Sequence, residues 1–134
     1  MSTLLLYFGK TTQQGNNPNE ITKTVNNIIA HNAYNPNSYD NDIALLHLSS
    51  PVTFNDYIQP VCLAAQSSNF PSGTKGWITG WGRIGATNPL PLPGILQEAT
   101  VQVYENNVCS ILCLGGPITP NMICAGGLWW SNGE

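Results

Sequence analysis

The 134-residue chain carries four Lys and Arg against seven Asp and Glu, a net charge of -3, with 8% charged and 42% hydrophobic residues. That balance excludes a solvated disordered segment, and without a basic cluster to neutralise a run of phosphates it excludes nucleic acid as a partner. The length suits one ordinary domain, or two half-domains of something larger.

Leu4-Leu5-Leu6-Tyr7-Phe8 is an apolar run closed by Gly9-Lys10. It is too short for a membrane span or a secretory leader and reads as a strand, so no transmembrane segment is expected in this chain. A polar loop with Gly15-Asn16-Asn17-Pro18-Asn19 leads into Ile21 to His31, whose β-branched residues predict a second strand, with a bulge where alternation breaks around Asn26-Asn27. The Asn-, Pro- and Ser-rich loop 32–41 ends at Asn41-Asp42, and the apolar run Ile43 to Leu48 follows. A carboxylate at the mouth of such a run needs hydrogen bonds or an opposite charge if it is buried, so Asp42 is the first candidate site residue.

Residues 51–75, punctuated by Pro51, Pro60, Pro71 and Gly73, read as a connector whose apolar knot is Val61-Cys62-Leu63. Gly76 to Gly82 predicts a strand entering a glycine turn, Leu96 to Tyr104 an alternating strand, Asn106 to Leu114 one short helix, and Met122 to Ala125 a last strand. No internal repeat or sustained helical period is present, and strands dominate.

Three motifs fail on context. Gly80-Trp81-Gly82-Arg83-Ile84-Gly85 matches the dinucleotide-binding glycine pattern, but Ala86-Thr87-Asn88-Pro89-Leu90-Pro91 cannot supply the helix N-terminus that would hold a pyrophosphate. Asp40-Asn41-Asp42 with Asn35 and Asn37 offer the oxygen ligands of a calcium loop, yet the glycine turn and the closing Glu are missing. Cys109, Cys113 and Cys124 lack a His at zinc-ligand spacing. No cofactor and no metal are expected. Four cysteines allow three complete pairings, and chain order favours a bridge within 109–124. Cysteine, Asn, Pro and Gly usage suits an extracellular β protein, although no Asn-x-Ser/Thr sequon supports export independently.

Taken together, Asp42-Ile43-Ala44-Leu45-Leu46, Pro60-Val61-Cys62-Leu63, Trp77-Ile78-Thr79-Gly80-Trp81-Gly82, Leu96-Gln97-Glu98 and Asn121-Met122-Ile123-Cys124-Ala125-Gly126 resemble the chymotrypsin/trypsin-like serine proteases in order and approximate spacing. Ser49 to Phe54 and the Asn-rich segments look most similar to prostasin- and tryptase-like members. The resemblance implies an all-β fold, a double antiparallel β-barrel truncated at both ends. Residues 1–50 would then be the C-terminal part of the first barrel, 51–75 the connector, and 76–134 the N-terminal part of the second.

In such proteases His, Asp and Ser act in that chain order, and the resemblance assigns Asp42 to the Asp. The family's His lies upstream of Asp42 in an Ala-Ala-His-Cys context that this chain begins too late to include. His31, in His31-Asn32-Ala33-Tyr34, matches a structural loop position, and His47 lies too far along the strand to orient on Asp42. The nucleophile's Gly-Asp-Ser-Gly-Gly string does not occur, and Ser131 lacks its flanking residues. The chain is therefore expected to be a partial serine endopeptidase domain, inactive as it stands. The alternative is a truncated pseudoprotease that binds a partner through open strand edges or Trp129-Trp130. The resemblance also implies a Cys109–Cys124 bridge and an unpaired Cys62, whose partner would be a missing propeptide. Cys113 is an extra cysteine, expected as a free thiol. For the complete parent it implies protein or peptide substrates and the secretory pathway.

Overall fold

A computed structural model describes residues 4–112 and 118–126. The elements are β1 (Leu5–Phe8), β2 (Ile21–Ala30), β3 (Ala44–Leu48), β4 (Lys75–Gly80), β5 (Gln97–Tyr104), α1 (Asn106–Leu112) and β6 (Cys124–Gly126). They form two three-stranded sheets, ordered β1-β2-β3 and β4-β5-β6. The fold is all-β and antiparallel, consistent with a truncated trypsin-like barrel architecture. No helix among the described residues is long and apolar enough to cross a membrane.

Cα packing groups the chain into two compact units, each assembled from three separate segments. The first comprises Met1–Ala30, Ala44–Ala64 and Gly80–Gln97, the second His31–Ile43, Ala65–Thr79 and Glu98–Glu134.

In the first unit β2 is the central strand, as its ten residues rich in Ile, Thr and Val predict. It pairs with β1 from Leu5↔Thr24 to Phe8↔Ile21 and with β3 from Val25↔Leu48 to Ala30↔Ala44. The register slips between Val25 and Asn27, so Asn26 is the extra residue of a bulge at the point where alternation fails in the sequence. The buried anchor of this unit is Ile58, 6% exposed. It sits in a turn closed by reciprocal backbone bonds with Asn55 at 3.0 and 3.2 Å, and the Asn55 side chain accepts the Tyr57 amide at 2.8 Å. The expected knot at Val61-Cys62-Leu63 is instead open to solvent, with Val61 84% and Leu63 90% exposed. Pro60 directly precedes this stretch, and residues 61–65 join no strand.

In the second unit β5 contributes Val103, 8% exposed, and α1 contributes Cys109, 6% exposed. Val103 exchanges backbone bonds with Gly73 and Thr74 at 2.9 and 2.8 Å, which fixes the entry to β4 against β5. A seven-residue helix has little stability of its own. The Cys109–Cys124 disulfide, with Cα atoms 6.4 Å apart, ties it to β6. Constraining a loop of that length contributes on the order of 3 kcal/mol.

Candidate functional site

The loop between β2 and β3, residues 31–43, carries the candidate carboxylate, and its geometry follows from short polar side chains that bond their own backbone. The His31 amide donates to the Ile43 carbonyl at 3.0 Å and closes the loop at its base. Within it, the Ala33 amide donates to His31 Nδ1 at 3.1 Å, the Asn37 amide to Asn35 Oδ1 at 2.9 Å, and the Asp40 amide to Ser38 Oγ at 3.3 Å. The Asn35 amide donates to the Asp40 carbonyl at 3.0 Å. Tyr39 and Asn41 take positive φ, 57° and 55°. Asn tolerates that region and Tyr does not, so the loop needs outside support to hold it.

That support comes from residues 119–121 of the same unit. The Thr119 hydroxyl donates to Asp40 Oδ1 at 2.5 Å, and Asn121 Nδ2 donates to Asp40 Oδ1 and to Asn41 Oδ1, both at 3.1 Å. Asn41 Nδ2 in turn reaches the Ala33 carbonyl at 3.1 Å and Asp40 Oδ2 at 3.2 Å. Helix α1 shapes the donor segment: Asn106 Nδ2 bonds the carbonyls of Thr119 and Met122 at 3.2 and 3.0 Å, and Ser110 Oγ accepts the Ile118 amide at 2.9 Å. The Thr119 hydroxyl, then the Asn121 amide, hold the Asp40 carboxyl below the usual carboxylate range; the Asn41 amide and the charge of His31 add to this, and partial desolvation opposes it.

Asp42 follows directly. The Ile43 amide donates to the Asn41 carbonyl at 2.9 Å, so Asp42 is the central residue of a three-residue turn. Its side chain is exposed. The buried setting suggested by the adjoining apolar run does not materialise: the residue is exposed, and among the described residues none donates a hydrogen bond to its carboxylate. His31 is exposed with its Nδ1 engaged by Ala33, and no ion pair joins it to Asp42. His47 is exposed on β3 opposite Asn27. The structure thus brings neither imidazole to the candidate acid.

Cys62 is an exposed free thiol. Cys113, Ser131 and the Trp129-Trp130 pair lie outside the described residues. No cluster of three or more His, Cys, Asp and Glu side chains that could hold a metal is present among the described residues. The residue that sequence reasoning missed is Asp40, noted there only as a calcium-ligand candidate. Its partners are 79 and 81 residues away, and no local pattern announces them.

Residues 2–133 match the model of the Trypsin family. The chain belongs to the trypsin family. Among relatives, it is 41% identical over 111 residues to a tryptase of Mus musculus, covering 77% of this chain and 41% of the relative. It is 43% identical over 99 residues to transmembrane protease serine 9 of Rattus norvegicus, covering 74% of this chain and 9% of the relative. Transmembrane protease serine 11C of Mus musculus is 40% identical over 105 residues, covering 78% of this chain and 24% of that protein. The chain thus spans less than half the length of these trypsin-family relatives.

Proposed function

We propose that the chain is a partial serine endopeptidase domain in which Asp42 is the triad carboxylate, and that these 134 residues alone do not hydrolyse peptide bonds. The observation that carries this is the Asp42 turn: on a segment matching the family's Asp, it presents an exposed carboxylate at the mouth of β3 with no bonded imidazole. In the complete parent, a Ser hydroxyl attacks the substrate carbonyl while His takes its proton. The Asp accepts the imidazole Nδ1–H, fixes the tautomer and stabilises the imidazolium, and backbone amides hold the oxyanion. Loss of base and nucleophile together forfeits on the order of a million-fold in rate.

Protein or peptide substrates, a propeptide as partner of Cys62, and the secretory pathway belong to the same proposal. The Cys109–Cys124 bond supports an oxidising compartment. The division into first-barrel residues 1–50, connector 51–75 and second-barrel residues 76–134 is proposed on the order of the family segments.

The purified chain should take up no fluorophosphonate probe, whereas stoichiometric labelling would contradict the proposed inactivity. A second reading, a non-enzymatic binding module, is favoured by exposed apolar side chains on and beside the strands: Ile43 64%, Leu45 68%, Trp77 66% and Ile78 56%. A monodisperse, cooperatively melting chain that captures one defined partner would support it. Non-specific association would count against it.

A further inference from the structure

We propose that Asp40 is a positioning residue for Asp42, acting as an ionised clasp between the 31–43 loop and residues 119–121. This rests on reading Asp42 as the triad carboxylate. Three observations carry it. Asp40 Oδ1 gathers two donors from the far segment, the Thr119 hydroxyl and Asn121 Nδ2. The same Asn121 amide also holds Asn41 Oδ1, so the residue with φ of 55° is pinned from outside its own loop. The Asn41 carbonyl then accepts the Ile43 amide and forms the turn centred on Asp42. Asn41 is the hinge of this arrangement: Asp40 and Asn41 share the Asn121 amide, so loosening Asp40 leaves Asn41 with that one bond to residues 119–121 and its own bond to the Ala33 carbonyl.

Charge is what makes the clasp effective. Both donors are neutral, so the negative acceptor strengthens each bond, and protonation would turn a two-donor acceptor into a weaker one. Among the described residues the groups that act on Asp40 are Thr119 and Asn121 from the far segment and Asn41 and the charged His31 from its own loop. Because the folded carboxyl sits below its ordinary value of 3.8, the clasp is fully formed above that value and is lost as pH falls through the lower folded value. It is closed at neutral pH and through the mildly acidic range.

The test is a carbon- and nitrogen-detected NMR titration of the full chain from about pH 2 to pH 6, a window spanning ordinary carboxylate titration. It follows the Asp40 and Asp42 carboxyl carbons and the amides of Asp42 and Ile43. The expected result is that these two amides report a second titration component with the Asp40 midpoint, and that Asp40→Ala abolishes it. Thr119→Val leaves the loop sequence untouched and keeps the test valid if Asp40→Ala does not fold. It should raise the Asp40 midpoint and carry the amide component upward by the same amount. Asp40→Asn, which keeps an acceptor, should restore wild-type amide positions more nearly than Asp40→Ala. Amides that ignore the Asp40 midpoint, or an amide component that stays fixed while Thr119→Val moves Asp40, would overturn the proposal. The reading of Asp42 itself fails separately, by full turnover of a longer, active form of the domain carrying Asp42→Asn.

Discussion

Two loops flank β2, and they are held by different physics. The loop from Gly9 to Glu20 is tied to residues 93–96 by backbone alone: Gln13 and Gln14 amides donate to Gly94 and Pro93 carbonyls at 2.9 and 3.0 Å, and the Leu96 amide donates to Thr11 at 2.8 Å. Inside it Asn17 Oδ1 accepts the Thr11 and Thr12 amides at 2.9 and 3.0 Å, and Lys10 pairs with Glu20 at 3.2 Å. The loop from His31 to Ile43 reaches its distant partner only through side chains, converging on Asp40 and Asn41. A backbone tie survives most substitutions and all accessible pH values. A tie carried mostly by one carboxylate is weakened by one substitution or one proton, leaving the Asn121–Asn41 bond, which makes the second loop the adjustable one.

The largest expected way to break this contrast is removal of the disulfide. Replacing Cys109 and Cys124 by Ala should lower stability by about 3 kcal/mol in chemical denaturation. It should loosen 118–126 and with it the 31–43 loop, leaving 9–20 ordered. Equal loosening of both loops would show that they share one support. Next comes Gly9→Ala. At φ of +69° the added Cβ would clash with the Asn19 carbonyl oxygen, so the main chain must shift. A loss of about 2 kcal/mol, confined to the first loop, is expected from such a strained position.

The smallest effect sharpens the site itself. Because Asp42 is exposed and accepts no described hydrogen bond, Asp42→Asn should change the unfolding free energy by less than about 0.5 kcal/mol. A loss of several kcal/mol would show that some group still satisfies that carboxylate.

Much of the scaffold was legible in the residues. β-branched runs marked β2, alternation marked β5, and the break at Asn26-Asn27 marked the bulge, because each depends on neighbours within a few positions. What depended on distant neighbours was not legible. Val61 and Leu63 look like a knot by composition, yet the connector buries Ile58, whose turn is closed by backbone bonds with Asn55 and braced by the Asn55 side chain. Ile43 and Leu45 read as a buried run but stay exposed, since β3 has β2 as its strand neighbour on one side and nothing described covers its face. Asp42 was visible through the family resemblance. Asp40 was not, because its role exists only once residues 119 and 121 arrive beside it.

The most direct test of the contrast is residue-resolved amide hydrogen exchange in Asp40→Ala against the unaltered chain, comparing Ile43, which closes the Asp42 turn, with Thr12, held by Asn17. Exchange at Ile43 should quicken roughly three- to tenfold, the range expected for losing one or two solvent-screened hydrogen bonds, while Thr12 stays unchanged. Unchanged exchange at Ile43, or equal acceleration at both amides, would contradict the account.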